Sequence, residues 1–203
     1  MKKHHLIPPL SEEIVKSLEV GDFLTFTGTV FTCRPLAYDR LLDSKQGAEL
    51  SKRLKGLGVQ ALFHCGPLVK NEGEEWKILG MVPMPSWLAG PERISKAVDS
   101  LGLRLIIGKG SLHVLSEFFV KSGCVHAVCV GNFSDYGLKV KKVIEGHWLD
   151  LGLPEALWIF DAEEFGPFIV EIDTKGNSLY KQGDETFKAG ARSVLVELGI
   201  KLD

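Results

Sequence analysis

The chain lacks a long hydrophobic run, a cysteine pair at metal-ligand spacing, an excess of charge of either sign and an internal repeat. Each absence excludes something. No apolar stretch in its 203 residues approaches the roughly 20 that a membrane-spanning helix needs. Met1 to Leu10 carries two lysines and two histidines but no apolar segment, which excludes a secretory signal. A net charge of −2 offers no basic field for nucleic acid. The four cysteines, Cys33, Cys65, Cys124 and Cys129, form no CxxC pair. They read as reduced thiols of a cytoplasmic protein rather than a disulfide frame, and their spacing argues against a metal or cluster site on this chain's own cysteines unless distant ones converge in space. No low-complexity tract occurs.

The composition, 45% hydrophobic and 25% charged, is that of a globular protein large enough to bury a core. Residues 1–20 read as an N-terminal arm with a short helix, N-capped by Ser11 and carrying Glu12 and Glu13 in its first turn. Residues 21–203 read as one domain. "DFLTFTGTVFTC" alternates as a strand, with Gly28 marking a bulge or a close backbone approach. Helix is expected from Pro35 to Leu54 with a break near Gly47, then strands at "VQALFHCG" and "WKILGMVPM". "PERISKAVDSL" reads as helix, "LRLII" as strand, "SLHVLSEFFVKSG" as helix and "VHAVCVG" as strand. "SDYGLKVKKVIEG" is expected as helix and "ALWIFD" and "PFIVEID" as two strands. "TKGNSLY" reads as a turn with a short strand, and "DETFKAGARSVLVELG" as the closing helix. The class is α/β, with alternating strands and helices in the middle and paired strands at the ends.

Several breaks after strands carry residues suited to binding an acid. Gly108-Lys109-Gly110 ends the run "LRLIIG". If Ser111 caps the following helix, the backbone amides and helix dipole there favour an anion, and Lys109 adds a point charge. Gly108 and Gly110 would let a ligand approach the main chain. The frame is not a Walker motif, and a solvated turn lysine is an equal reading. Arg34, between Cys33 and Pro35, stands at a helix entry, where its guanidinium can grip a carboxylate or pair with Asp39 or Glu49. "GMVPMPSW" places Met84 and Trp87 either in a pocket wall or in the core. Gly131-Asn132 supplies backbone donors or a plain turn. His64 and His126 lie in apolar strands and read as satisfied core histidines.

These breaks, in this order, resemble one family. "GDFLTFTGTVFTCR", "HCGP", "IIGKG", "VCVGNFSDY" and "HWLDLGLPEALWIFDAEEFGPFIVEIDTKGNSLY" are similar to the β component, or C-terminal domain, of iron–sulfur class I fumarases and L(+)-tartrate dehydratases. The resemblance runs from about Gly21 to Tyr180. It implies a swivelling β/β/α domain that works with an α-type iron–sulfur subunit carrying a 4Fe–4S cluster, with no cofactor in this chain. The activity implied is reversible dehydration of a small hydroxy acid by a hydro-lyase. The family's strand-end arginine falls on Arg34 and its glycine-flanked lysine on Lys109.

Two family motifs are altered. Arg-Asp-x-Ala-His becomes Arg34-Pro35-Leu36-Ala37-Tyr38, so the family's histidine falls on Tyr38, here a proton donor or hydrogen-bonder. Gly-Pro-Thr-Thr-Ser-x-Arg becomes Val82-Pro83-Met84-Pro85-Ser86-Trp87-Leu88. Pro83 and Ser86 survive, the threonines become Met84 and Pro85, and the arginine becomes Leu88. Met84 cannot take a proton. The candidate substrate-binding set is therefore Arg34, Gly108, Lys109 and Gly110, with Met84, Ser86 and Leu88 from the altered loop and Trp87 beside them. Tyr38 is the candidate catalytic residue, and no metal ligand is expected. The implied partners are the α-type subunit and a small carboxylic acid, without nucleic acid or membrane, and self-association is open. A non-catalytic anion-binding or regulatory module of the same fold is the alternative.

Overall fold

The computed structural model describes residues 1–73 and 75–198. The expected end of the domain at residue 203, and that of the closing helix at Gly199, lie outside them. Strands β1 (Lys3–Leu6), β2 (Phe23–Thr32), β3 (Ala61–Phe63), β6 (Leu105–Gly108) and β7 (Val125–Cys129) lie side by side in that order, all parallel. Strands β3, β6 and β7 are short, mostly apolar runs, as befits parallel strands covered on both faces. The long strand β9 (Leu157–Ile172) pairs antiparallel with β7, with β2 and with β8 (Val140–His147). Because β9 joins both β7 and β2, the sheet closes on itself. A separate hairpin, β4 (Cys65–Glu72) with β5 (Glu75–Pro83), follows β3.

Alternation along the strands separates two cores. Ala61, Phe63, Leu105, Ile107, Val125 and Ala127 point inward with Phe165 and Phe168. Leu62 and Ile106 point outward, against helices α2 (Pro35–Asp43), α3 (Lys45–Gly56), α4 (Pro91–Leu101) and α5 (Ser116–Ser122). The result is the α/β class with β/β/α layering. The first 20 residues pack into this body: β1 is an edge strand of the sheet, and Leu6, Leu10, Val15 and Leu18 join the inner core. Ser11 caps α1 (Glu12–Ser17) as expected, accepting from the Ile14 amide at 3.2 Å. Gly28 is both a bulge and a close approach, since the register shifts there and Pro8 would lie 3.0 Å from a Cβ.

Some local expectations give way to long-range pairing. The helix read across 134–146 stops after α6 (Phe133–Leu138), and Val140 onward becomes β8 because β9 offers it a ladder. "ALWIFD" and "PFIVEID" are one strand. "VQALFHCG" divides at His64, where the chain leaves one sheet for the other. The break between α2 and α3 is at Ser44, whose Oγ accepts from the Gly47 amide at 2.9 Å. Gly47 itself is helical. After the turn at residues 174–177, Ser178 makes one bridge and α7 (Leu179–Glu197) begins, earlier than expected. Ser111 caps no helix: a 3₁₀ turn at His113–Leu115 intervenes and α5 starts only at Ser116.

Candidate functional site

The C-terminal ends of parallel strands are where open α/β sheets gather their binding residues. Here those ends bring together Arg34 after β2, His64 after β3 and Lys109 after β6. Strand β3 alone separates β2 from β6, so the backbones carrying Arg34 and Lys109 stand roughly 10 Å apart by ordinary strand spacing. The two cations thus share one sheet edge. Arg34 sits at a helix entry, as N-cap of α2, whereas the segment after Lys109 leads into a 3₁₀ turn before α5 begins at Ser116.

Arg34 is engaged. Its Nε lies 2.7 Å from Glu155 Oε1, rather than by Asp39 or Glu49. The N–H points past the oxygen, so the contact is an ion pair without hydrogen-bond geometry. Asp39 pairs instead with Arg93, at 2.6 Å. The guanidinium also crosses Gly66, where a side chain would collide with it. Glu155 was invisible to local reading because it lies 121 positions from Arg34 in the sequence.

The altered loop is stitched to the lysine turn. The Ser86 amide donates to the Lys109 carbonyl at 2.9 Å, and the Lys109 amide to the Met84 carbonyl at 3.3 Å. Met84 is 6% exposed and belongs to the helix-side core, so it is no pocket wall. The proline-flanked backbone turns it inward between the strand ends and the helices. Trp87 and Leu88 do face outward, at 58% and 46% exposure, and Trp87 lies over Gly110. Gly110 needs its left-handed φ of +70°. Gly108 has another reason to be glycine: a Cβ there would overlap the Ser86 Oγ. Its missing side chain makes room for a buried hydroxyl and gives a ligand no approach.

That hydroxyl is the hub of a hydrogen-bonded chain. Tyr38 Oη lies 2.8 Å from His64 Nε2, and His64 Nδ1 lies 2.9 Å from Ser86 Oγ. Ser86 Oγ lies 2.9 Å from His126 Nε2, and His126 Nδ1 lies 2.8 Å from Glu171 Oε2. All five residues are fully buried. Tyr38 is therefore a hydrogen-bonder inside the protein, not a proton donor to a surface acid. Burial pushes its phenol well above the ordinary range. Burial pulls His64 down to about 3. Burial opposes ionisation of Glu171. Hydrogen bonds from His126, Ser178 and the Leu112 amide nevertheless hold its carboxyl below its usual value. Both histidines are the satisfied core residues expected. The carboxylate partner of His126 was missed. A charged residue inside "PFIVEID" was the available signal.

The remaining candidates are structural. Asn132 caps α6 through the Ser134 amide at 3.2 Å, which makes Gly131-Asn132 a turn. Cys33, Cys65 and Cys124 are buried with their thiols pushed up, and burial raises Cys129 to about 12. Among the described residues no three His, Cys, Asp or Glu side chains are grouped to hold a metal ion, and no helix is long and apolar enough to cross a membrane.

Comparison with known proteins gives a consistent result. A family model described as "Fumarase C-terminus" matches residues 2–183. The L(+)-tartrate dehydratase subunit beta of Escherichia coli is 33% identical over 96% of this chain and 94% of its own length. The protein of the same name from Shigella sonnei is 32% identical over the same shares. A relative from Methanocaldococcus jannaschii is 29% identical over 85% of this chain and 89% of its own.

Proposed function

The chain belongs to the fumarase C-terminal family, whose members include hydro-lyase β subunits, and we propose that it is the β-type subunit of an iron–sulfur-dependent hydro-lyase acting on a small hydroxy acid. The observation that carries this reading is the placement of Arg34 and Lys109 on one sheet edge. In this reading Lys109 holds a substrate carboxylate as a point charge. Arg34 shares itself between Glu155 and the acid, and Trp87 and Leu88 offer the apolar side. Polarisation of the departing hydroxyl is the chemistry that a 4Fe–4S cluster on an α-type partner supplies. This chain binds and orients the acid. Its loop offers no proton acceptor, because Met84 and Pro85 have none and the Ser86 hydroxyl is buried. That deficit favours a second reading, a non-catalytic acid-binding module of the same fold.

Co-expression with an α-type subunit separates the two. The hydro-lyase reading expects iron and sulfide in the purified pair, turnover of a hydroxy acid, and neither stoichiometric iron nor fumarate hydration in this chain alone. Lys109→Ala should weaken every acid bound in calorimetric titration by about tenfold to a hundredfold, the worth of a charged hydrogen bond. A pair that binds acid and iron but turns nothing over supports the second reading. Unchanged binding in Lys109→Ala removes both.

A further inference from the structure

The chain from Tyr38 to Glu171 draws one side chain each from α2, the end of β3, the loop after β5, β7 and β9. Its polarity follows from counting donors and acceptors. The ionised Glu171 carboxylate can only accept. It receives the Ser178 hydroxyl at 2.7 Å, the Ser111 hydroxyl at 3.0 Å, the Leu112 amide at 3.3 Å and His126 Nδ1. His126 therefore carries a proton on Nδ1. Two continuations exist. In one, Nε2 of His126 accepts from Ser86, Ser86 accepts from His64 Nδ1–H, and His64 Nε2 accepts from the Tyr38 hydroxyl. Every proton then has an acceptor. In the other, the three remaining bonds are reversed: His126 takes a second proton on Nε2 and donates to Ser86, and His64 donates to the Tyr38 oxygen. That leaves the Tyr38 hydroxyl proton without an acceptor among the described residues, at a site of 0% exposure. A buried unmatched donor costs about 1–3 kcal/mol, which selects the first arrangement.

This chain holds the Lys109 turn from both sides. Before the turn, Ser86 Oγ fills the space beside Gly108, and the Ser86 amide binds the Lys109 carbonyl at 2.9 Å. After it, Glu171 grips Ser111 and the Leu112 amide. We propose that His126 and Glu171 are positioning residues: through Ser86 on one side and Ser111 on the other, they fix where the Lys109 amine stands at the sheet edge. The proposal rests on Lys109 as the acid-binding cation.

Its test uses the full chain and no ligand. Nitrogen-15 spectra of the histidines at neutral pH should show His64 and His126 each protonated on Nδ1 and bare on Nε2. Ser86→Ala should speed amide hydrogen exchange at Lys109 by about tenfold, the loss of one buried hydrogen-bonded link. Exchange at Ala127, in the middle of β7, should not change. Should Ser86→Ala not fold, Tyr38→Phe keeps the volume, removes only the terminal donor, and should speed Lys109 exchange severalfold with Ala127 again unmoved. His64 protonated on Nε2 overturns the polarity. Exchange that rises equally at Lys109 and Ala127, or at neither, reduces the chain to core filling. Because no acid enters these measurements, a failed acid titration with Lys109→Ala leaves the positioning result standing, and the converse also holds.

Discussion

His64 shows how one buried residue ties stability to pH. It follows the last residue of β3, its ring is sealed between α2 and the strand ends, and its pKa is drawn from 6.5 to about 3. In the unfolded chain the same ring takes a proton as pH falls below 6.5. Between 6.5 and about 3 the unfolded state therefore binds more protons, and stability drops as pH drops. The full shift corresponds to roughly 5 kcal/mol, lost at about 1.4 kcal/mol for each pH unit across that window. Glu171, lowered in the folded protein, adds a loss of the same sign that begins as pH falls below its ordinary value of 4.5, inside the lower part of that window. Urea unfolding at pH 7, 5.5 and 4 should show this slope. His64→Gln, though less stable at pH 7, should flatten it. An equal slope in that variant would assign the acid sensitivity to other groups.

At the scale of the element, local signals and long-range partners divide what could be read in advance. Helix α4 was legible because Pro91 opens it, Gly102 closes it and apolar residues repeat at helical spacing between. The parallel strands were legible as apolar runs ending in glycine. Strand β8 was not, because Leu138, Val140, Val143 and Ile144 also suit a helix, and only pairing with β9 decides. The relay was hidden for the same reason: its four links join residues 26, 22, 40 and 45 positions apart. Lys109 and Arg34 stood out because they are charged residues at strand ends. Ser86 did not, since a serine in a proline-rich loop reads as a turn. The junction of α2 and α3 gives a prediction against the usual rule. Glycine to alanine inside a helix ordinarily adds about 1 kcal/mol. At Gly47 a Cβ would overlap the carbonyl oxygens of Leu41 and Arg40, which are backbone and cannot swing aside. Gly47→Ala should cost about 1–3 kcal/mol, the penalty of overpacking, and lower the melting temperature. A melting temperature raised by this change would mean that α2 and α3 move apart freely.

For the whole molecule, the question is what the strand-end edge presents once the core has taken its share. Met84 and Ser86 are consumed by packing, and Arg34 is paired with Glu155. Trp87 and Leu88 remain exposed beside the half-buried Lys109, with Leu36 also half exposed at the start of α2. Among the described residues Lys109 makes no ion pair, and a cation of that kind beside apolar side chains suits an acid with one carboxylate and an apolar end. A second carboxylate would lose water without gaining a partner of its own, since Arg34 is already shared between Glu155 and the first carboxylate. Leu88→Arg restores a guanidinium at the position where the family's loop carries one. In calorimetric titration it should raise affinity for L-malate or L-tartrate by tenfold or more and leave lactate within about twofold, because a charge-assisted pair contributes about 1.5–3 kcal/mol. Leu88 is exposed, so the change should not disturb folding, and melting of the variant checks that. If wild-type protein prefers dicarboxylates, Arg34 takes a second carboxylate despite Glu155 and the one-carboxylate reading fails. If Leu88→Arg leaves all affinities alone but breaks co-purification with an α-type subunit, Trp87 and Leu88 belong to the subunit contact, and the acid is held by Lys109 and Arg34 without them.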